Sequence, residues 1–195
     1  MEIILTQMHL PAGTEQDAAI RTVIDHGTPD AEISVVYQSV DDEMEYGLVQ
    51  YLRSGSNLQD HAFAPSDVAQ YFCTELTDSG PTEEIAPILM IVAFNVPIEL
   101  ASGVEAWYRD EHIPMLTSAA GWLRARRYEV LLQHNGPVFN SIALHELRDE
   151  TVLDSPERKA ARSTPWRARF SSDLWFQQAG RWVYRRIGSE GPYIG

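Results

Sequence analysis

A histidine close to a proline is the part of this sequence whose residue types best suit chemistry. His112 follows Asp110 and Glu111 directly and stands two residues before Pro114. Proline has no backbone N–H, and its ring clashes with the carbonyl four residues earlier, so a helix must kink or restart there. Histidine has an ordinary pKa of about 6.5 and therefore gives and takes protons at neutral pH. We predict proton transfer by His112, with Asp110 or Glu111 orienting its imidazole ring.

A structural role for His112 explains the same residues and stays open at this stage. In that reading the ring caps the end of the helix or hydrogen-bonds to a backbone carbonyl beside the proline. If the helix persists, Tyr108 lies one turn before His112 on the same face, where it can contact a bound molecule.

Two arginines and a tyrosine share one face of a predicted basic strand. Side chains alternate along a strand, so Arg124, Arg126 and Tyr128 point to the same side. Guanidinium groups clamp carboxylates and phenolates, which makes these residues candidates for substrate binding. The alternative is that the arginines pair with acidic side chains across the sheet. His145 and Asn140 lie on opposite faces of the next strand, and either can line a pocket.

Aromatic residues are concentrated in the second half of the chain. All five tryptophans lie there, at positions 107, 122, 166, 175 and 182. Large aromatic residues fill cores and also line ligand clefts. We expect most of them in the core, with Trp107 and Trp166 as pocket walls.

The sequence contains no pattern typical of a metal or nucleotide site. None of the six histidines is spaced as His-x-His or His-x-x-x-His, and zinc normally takes several nitrogen or sulfur ligands. Glycine-rich phosphate loops and the Gly-x-Ser-x-Gly nucleophile motif are absent, and Ser54-Gly-Ser56 is predicted to be a turn. We therefore expect no metal and no cofactor.

Patterns of apolar residues, glycine and proline predict the elements that position these side chains. For the second half they predict a βαββαβ order: strand 88–96, helix 98–109, a hairpin of strands 122–132 and 138–147, a helix from Ser155 to about Thr164, and strand 180–187. For the first half they predict strand 2–8, helix 14–25, a hairpin of strands 32–40 and 46–53, a short helix 65–72 and a last strand within 73–77.

The repeated element order predicts an internal duplication. A polar connector over 77–84 divides the chain into an N-terminal half, 1–85, and a C-terminal half, 86–195. Each βαββαβ unit forms an antiparallel sheet with both helices on one face. We expect an α+β protein in which two ferredoxin-like units pack sheet to sheet as a single-chain pseudo-dimer, either monomeric or forming a homodimer through another surface.

Composition and charge exclude several classes of protein. The net charge is −13, and residues 1–87 carry 16 acidic and two basic side chains. An acidic surface repels phosphate backbones, so nucleic acid is an unfavourable partner. One cysteine cannot form an internal disulfide, and no apolar stretch is long enough for a signal peptide or a membrane span. These features favour a cytoplasmic protein without a membrane partner.

The segment Trp107-Tyr-Arg-Asp-Glu-His-Ile-Pro-Met-Leu116, followed by Gly121-Trp-Leu-Arg-Ala-Arg-Arg-Tyr128, resembles the signature of the EthD family of dimeric α/β-barrel proteins. Thr164-Pro-Trp166 is also similar to members of that family. The resemblance covers roughly residues 88–187. The first half lacks the Glu-His-x-Pro element, which implies one active site rather than two.

This resemblance implies a small-molecule enzyme that works without a cofactor on an aromatic or polyketide-like substrate. Decarboxylation, isomerisation, cyclisation and oxygenation are the activities associated with such barrels. In that reading His112 moves the proton, and Arg124, Arg126 or Tyr128 stabilises an oxyanion. The second hypothesis is a protein that binds a hydrophobic ligand without converting it. Haem, which some barrels of this kind bind, and a purely structural role are further alternatives.

Overall fold

The computed structural model describes residues 1–53, 65–80, 82 and 86–191. This part of the chain forms eight strands: β1 Glu2–His9, β2 Ala31–Ser39, β3 Glu45–Leu52, β4 Ala69–Asp78, β5 Ile88–Phe94, β6 Trp122–His134, β7 Ser141–Leu147 and β8 Gly180–Glu190. It also forms six α-helices: α1 Gln16–Asp25, α2 Ala101–Trp107, α3 Ile113–Thr117, α4 Pro156–Ala161, α5 Pro165–Ser171 and α6 Leu174–Gln177. Two 3₁₀ turns, Ile98–Leu100 and Glu150–Asp154, and one π-helical turn, Tyr108–His112, complete the described elements.

The chain divides into two compact units, and the first holds the described residues of 1–75, 129–138 and 183–194. In it β4, β1, β3, β2 and β8 follow one another as antiparallel neighbours. Helix α1 packs on this sheet through Ala19 and Val23, which are fully buried against Val36 and Leu48. Because Ala19 and Val23 are four residues apart, they form one apolar stripe along the helix.

The second unit holds residues 76–128 and 139–182. Here β5, β7 and β6 are consecutive neighbours. Strand β5 pairs antiparallel with β7, which places Met90 opposite His145. Alternate side chains of β5 face α2, so Phe94 packs in one buried cluster with Val104 and Trp107. This cluster is the wall on which the candidate site is built.

The element order predicted for the second half is confirmed, with finer divisions. The predicted helix 98–109 is a 3₁₀ turn, then α2, then the first residues of the π-helical turn. The predicted helix after Ser155 ends at Ala161, and α5 follows Thr164. The start at Ser155 is confirmed, whereas Thr164, predicted as the end of that helix, caps the separate helix α5. The Ser155 and Thr164 side chains each accept a backbone N–H three residues later, at 3.2 Å.

The predicted hairpin between β6 and β7 is also confirmed. Asn135 and Gly136 both have positive φ, at 55° and 70°. Asn-Gly is the pair that adopts positive φ most readily. Here it begins a connection of six residues, 135–140, because β7 starts at Ser141 rather than at the predicted position 138.

One predicted helix of the first half is wrong. Pro65–Val68 is a turn closed by the Val68 N–H, which donates to the Pro65 carbonyl at 3.0 Å, and β4 begins at Ala69. The aromatic residues Tyr71 and Phe72 pair with β1 instead of coiling into a helix. Aromatic side chains favour the pleated surface of a sheet, and this pairing outweighs the local helix signal.

The predicted connector begins later than expected. Thr77 and Asp78 are the last residues of β4 rather than part of a linker. Residues 81 and 83–85 and the predicted turn at Ser54-Gly-Ser56 lie outside the described residues. The predicted α+β class is present, since described strands and helices occur in both units. None of the described helices is long and apolar enough to cross a membrane.

Candidate active site

A pocket of about 90 Å³ lies in the second unit, against the helix-bearing face of its sheet. Its apolar wall consists of side chains from β5, α3 and α6: Met90, Val92, Phe94, Leu116 and Phe176. Its polar groups are the rings of Trp107, Tyr108, His112, Trp122 and His145 and the guanidinium groups of four arginines.

The π-helical turn that carries His112 follows from Pro114. Pro114 occupies the first turn of α3 and supplies no N–H to the carbonyl four residues earlier. The preceding Ile113 N–H donates instead to the carbonyl of Tyr108, five residues back. A π-helical turn of this kind widens the helix by one residue and is frequent at functional sites.

The imidazole of His112 lies between two aromatic rings. Trp107 stacks on it with ring centroids 4.4 Å apart and planes 30° apart. Tyr108 meets it edge to face, with centroids 5.2 Å apart at 90°. The ring also hydrogen-bonds to the backbone of Ala161, while Nδ1 has no hydrogen-bond partner in the described part of the chain.

This environment keeps His112 neutral. Burial is the largest cause, followed by the positive charge of Arg167, and together they lower the pKa of His112 to about 3. Arg127 and Arg158 act in the same direction, and the bond to the Ala161 backbone opposes them. At neutral pH the ring is therefore uncharged and able to accept a proton.

A second buried histidine lines the same pocket. His145, on β7, is 1% exposed, and burial holds its pKa well below the ordinary value, with a further contribution from His112. The Trp122 ring meets it edge to face at 5.2 Å. Within the described residues, His145 Nδ1 and Trp122 Nε1 have no hydrogen-bond partner. Buried polar atoms are normally paired, so such atoms lining a cavity point to a ligand or to water.

Four arginines form the rest of the polar lining, and we call them the arginine rim: Arg158, Arg162, Arg167 and Arg181. Arg158 and Arg167 are half-buried, whereas Arg162 and Arg181 are exposed. Among the described residues none of the four forms a salt bridge.

Backbone carbonyls hold the arginine rim in place. Arg167 donates to the carbonyl of Arg162 at 2.9 Å, Arg158 donates to that of Leu153, and Arg181 donates to that of Ala179 at 3.2 Å. Burial first, and then the charge of neighbouring arginines, lowers the pKa of Arg158 and Arg167. The rim is thus a concentration of positive charge.

The strand arginines predicted to bind substrate form ion pairs instead. Arg124 makes a bidentate pair with Asp78, with N–O distances of 3.0 and 2.6 Å, and Arg126 pairs with Glu146. Neither these arginines nor Tyr128 lines the pocket. The alternative interpretation, pairing with acidic side chains across the sheet, is the one observed.

Their neighbour Arg127 faces the helices, because side chains alternate along β6. Its guanidinium lies 3.7 Å from the centre of the Tyr108 ring. It donates to Glu105 at 3.2 Å and to Ser141 at 2.7 Å. Arg127 therefore supports one of the two rings that enclose His112.

The predicted orienting carboxylates lie outside the pocket lining. Asp110 is exposed and pairs with Arg109 at 2.7 Å. Glu111 accepts hydrogen bonds from Trp107 Nε1 at 3.1 Å and from Thr164 Oγ1 at 2.6 Å. Glu111 thus fixes the ring that stacks on His112 rather than contacting the imidazole.

Of the two predicted tryptophan walls, Trp107 lines the pocket, whereas Trp166 is partly buried against the neighbouring core cluster. Asn140 bonds to the backbone of Val96 at 2.8 and 2.7 Å. The sequence analysis missed Trp122 as a site residue and missed the arginine rim entirely. The available signal was the spacing of Arg158 and Arg162, four residues apart on a short helix. No group of acidic, histidine and cysteine side chains among the described residues is arranged to hold a metal ion.

Comparison with known proteins identifies relatives by structure only. No family model matches the chain, and no curated protein matches it. An anthrone oxidase-like protein superposes with a TM-score of 0.65 at 13% identity, covering 97% of this chain and 92% of its own. A proposed monooxygenase from Fusobacterium nucleatum gives 0.64 at 10% identity, covering 100% and 95%.

A third similar structure is described as having the ferredoxin fold. This ferredoxin fold protein from Listeria monocytogenes, related to antibiotic biosynthesis monooxygenases, gives a TM-score of 0.57 at 13% identity, covering 95% of this chain and 94% of its own. At such identities the likeness shows the fold alone, and activity must be argued from the pocket.

Proposed function

We propose that this protein is a small-molecule enzyme in which His112 acts as a general base, without a cofactor. The observation that carries the proposal is a buried, neutral imidazole whose Nδ1 has no hydrogen-bond partner among the described residues and which lines a pocket. A side chain with a strongly perturbed pKa in a cleft is typical of a catalytic group.

The surroundings of His112 suit proton transfer to a bound molecule. When the imidazole takes a proton from a C–H or O–H bond, it becomes positive and the substrate becomes negative. The face of Trp107, stacked at 4.4 Å, attracts the imidazolium. The arginine rim attracts the anionic intermediate, which offsets the cost of charging His112 beside Arg167.

Positioning residues hold the base in this geometry. Glu111 bonds to the indole of Trp107 and to Thr164 at the start of α5, so the stacking ring is tied to two helices. Arg127 holds Tyr108 from the sheet side. We assign Glu111, Tyr108 and Arg127 to orientation of the imidazole, and Asp110 to the exposed surface of the π-helical turn.

The anion left after proton removal determines the reaction class. Return of the proton to another carbon gives isomerisation. Attack of the anion on a carbonyl carbon of the same substrate, with the imidazolium protonating the resulting alkoxide, gives cyclisation. Loss of carbon dioxide with protonation gives decarboxylation, and capture of dioxygen gives oxygenation. Anthrone oxidase-like and monooxygenase-like proteins share the fold, which makes the oxygen reaction of an aromatic substrate the class to test first.

A binding protein is the second candidate, and the pKa of His112 favours it. A base with a pKa of about 3 is weak in the empty pocket. An apolar wall with several unpaired ring nitrogens also suits a ligand that is held without conversion. Haem is a poorer occupant, because a cavity of about 90 Å³ holds only roughly six to nine water-sized spheres.

We also propose the finer family assignment. The aromatic-Tyr-x-Asp-Glu-His-x-Pro segment lies on the pocket side of the second unit, which supports an EthD-like protein with a single active site. In this proposal residues 1–85 are a degenerate copy of the ferredoxin-like half 86–195, and the sheets of the two halves pack face to face as a pseudo-dimer, alone or as a homodimer. Sedimentation as a stable monomer would agree with the pseudo-dimer. An obligate dimer that unfolds on dilution would contradict it.

Thermal-shift screening of wild type and His112→Ala, with product analysis of every hit, tests the enzyme proposal. The screen contains aromatic acids, phenolic polycycles, lactones and haem, in air and under nitrogen. We expect a compound that stabilises both proteins and is converted only by wild type. Stabilisation of both proteins without conversion by either would instead establish the binding protein.

A further inference from the structure

Among the described residues, no acidic side chain forms a salt bridge with the arginine rim. Arg158, Arg167 and Arg181 donate to backbone carbonyls, and Arg167 also lies over the Phe176 ring at 4.9 Å. Burying like charges together lowers stability unless a counter-charge joins them. In a protein with a net charge of −13, this concentration of cations at one pocket is the exception. An anionic ligand supplies the missing counter-charge.

The chemistry of the rim specifies the type of anion. Guanidinium groups are planar forks that bind carboxylate and phosphate oxygens through two parallel hydrogen bonds. Arg158 and Arg167 are half-buried beside the aromatic rings, whereas Arg162 and Arg181 reach into solvent. A carboxylate attached directly to an aromatic ring can therefore accept hydrogen bonds from both the half-buried and the exposed guanidinium groups.

The inner end of the pocket specifies the rest of the molecule. Apolar side chains from β5 form one wall, Trp122 and His145 also line the pocket, and their Nε1 and Nδ1 atoms are buried with no partner among the described residues. A ring fills the apolar space, and a hydroxyl or keto oxygen on that ring can accept from the indole N–H. The cavity of about 90 Å³ suits one ring better than a polycycle.

We infer that the ligand of this pocket is a small aromatic carboxylate. Its carboxylate binds to the arginine rim, and a hydroxyl or keto oxygen on its ring faces Trp122 and His145. The inference rests on the proposed function for its location, since both use the His112 pocket. It adds the substrate class and the residues that recognise it. It requires no conversion, so binding alone tests it.

Isothermal titration calorimetry with matched probes tests this inference. 4-Hydroxybenzoate, benzoate and 2-naphthoate are compared with uncharged 4-hydroxybenzamide, and phenyl phosphate and inorganic phosphate serve as the other oxyanions. We expect 4-hydroxybenzoate to bind about tenfold or more tightly than the amide, since charged hydrogen bonds contribute that much. Added salt should weaken the binding of the carboxylate and leave that of the amide unchanged.

Substitutions of single arginines test where the carboxylate binds. Arg162→Gln changes an exposed side chain, so folding is preserved, and Arg167→Lys keeps the charge but loses the fork. Both should weaken 4-hydroxybenzoate about tenfold. Arg169→Gln, an exposed arginine on the same helix as Arg167 and outside the pocket lining, is the control and should bind as wild type does.

Three results would overturn the inference: equal affinity for the acid and the amide, no binding of any carboxylate at millimolar concentration, or the same effect of Arg162→Gln and Arg169→Gln. Tighter binding of phenyl phosphate than of 4-hydroxybenzoate would replace the carboxylate by a phosphate ester. Carboxylate binding without turnover of any compound would leave this inference standing and remove the proposed enzyme. Turnover of an uncharged substrate without carboxylate binding would remove this inference and leave the proposed enzyme standing.

Discussion

Trp107 and His112 stack ring on ring although they are five residues apart in the chain. In a regular α-helix, side chains three or four residues apart share a face, and a separation of five places them on different sides. The π-helical turn Tyr108–His112 adds one residue to the turn and brings the two rings into register. The stack is therefore a product of the hydrogen-bond shift that Pro114 imposes.

Replacement of Pro114 by alanine should undo this shift. An alanine N–H can bond to the carbonyl of Asp110, so the segment is expected to return to α-helical register and turn His112 away from Trp107. We expect the free energy of unfolding to change by about 1 kcal/mol or less, because lost rigidity and gained hydrogen bonding offset each other. Ligand affinity and turnover should fall at least about tenfold.

Pro165→Ala is the matched control for that variant. Pro165 also begins a helix, α5, but no π-helical turn precedes it. Denaturant titration measures the stability of both variants, and NMR of the imidazole nitrogens reports the position of the His112 ring. Wild-type binding by Pro114→Ala would show that the π-helical turn has no functional effect.

The low pKa of His112 predicts that stability falls with acid in a defined range. The unfolded histidine takes up a proton near pH ~6.5, whereas the folded one does so only near pH 3. Between these values the unfolded state binds more protons, so the free energy of unfolding decreases as pH falls. The slope contributed by one such histidine approaches about 1.4 kcal/mol per pH unit. His145, with its pKa lowered in the same direction, adds to it.

Urea unfolding at pH 7.5, 6.5, 5.5 and 5.0 measures this slope. His112→Gln should reduce the slope over the whole range, because glutamine does not titrate, and the contribution of His145 should remain. His9→Asn changes an exposed histidine and leaves both buried rings in place, so it should keep the wild-type pH dependence. A wild-type slope that survives His112→Gln unchanged would mean that the ring is not buried as described.

The pair of Arg124 and Asp78 should contribute measurably to stability. Arg124 is nearly buried, and both oxygens of Asp78 bond to it. A double-mutant cycle with Arg124→Met and Asp78→Asn should give a coupling free energy of roughly 1–3 kcal/mol. The exposed pair of Arg109 and Asp110 is the comparison, and it should show no measurable coupling. Equal coupling in the two cycles would contradict this account of burial.

Trp122→Phe should separate stability from ligand binding. The substitution removes a buried N–H that has no partner among the described residues, and this gain offsets the lost packing. We expect stability within about 1 kcal/mol of wild type and ligand binding weakened several-fold. Trp107→Phe removes an indole that donates to Glu111 and should lower stability further. Calorimetry measures both effects, and a large loss of stability in Trp122→Phe would show that its N–H is satisfied.

The sequence pointed to His112 as the centre of the candidate site because its signals there are local. The proline at position 114 disturbs the helix wherever that helix packs, so the effect on His112 could be predicted. The Asn-Gly turn and the cap at Ser155 are equally local, and both are present. The helix predicted over 65–72 failed, because pairing of β4 with β1 decided that segment.

The role of the strand arginines depends on long-range packing rather than on local sequence. Alternation correctly placed Arg124 and Arg126 on one face, but it could not say which face meets the helices. That choice depends on what packs on the sheet, and here Arg127 and the β7 residue His145 face the helices. A shift of one residue along the strand separates Arg127, which contacts Tyr108 on the helix side, from Arg126, which pairs with Glu146.

The sequence by itself determined the helix break beside His112, the start of α4 and the turn after β6, because each depends on backbone chemistry within about five residues. Only the tertiary structure decided that four arginines from three segments meet at one pocket and that His112 is neutral. Both properties arise from burial and from charges that are distant along the chain, and the pKa of a side chain responds to all of them at once.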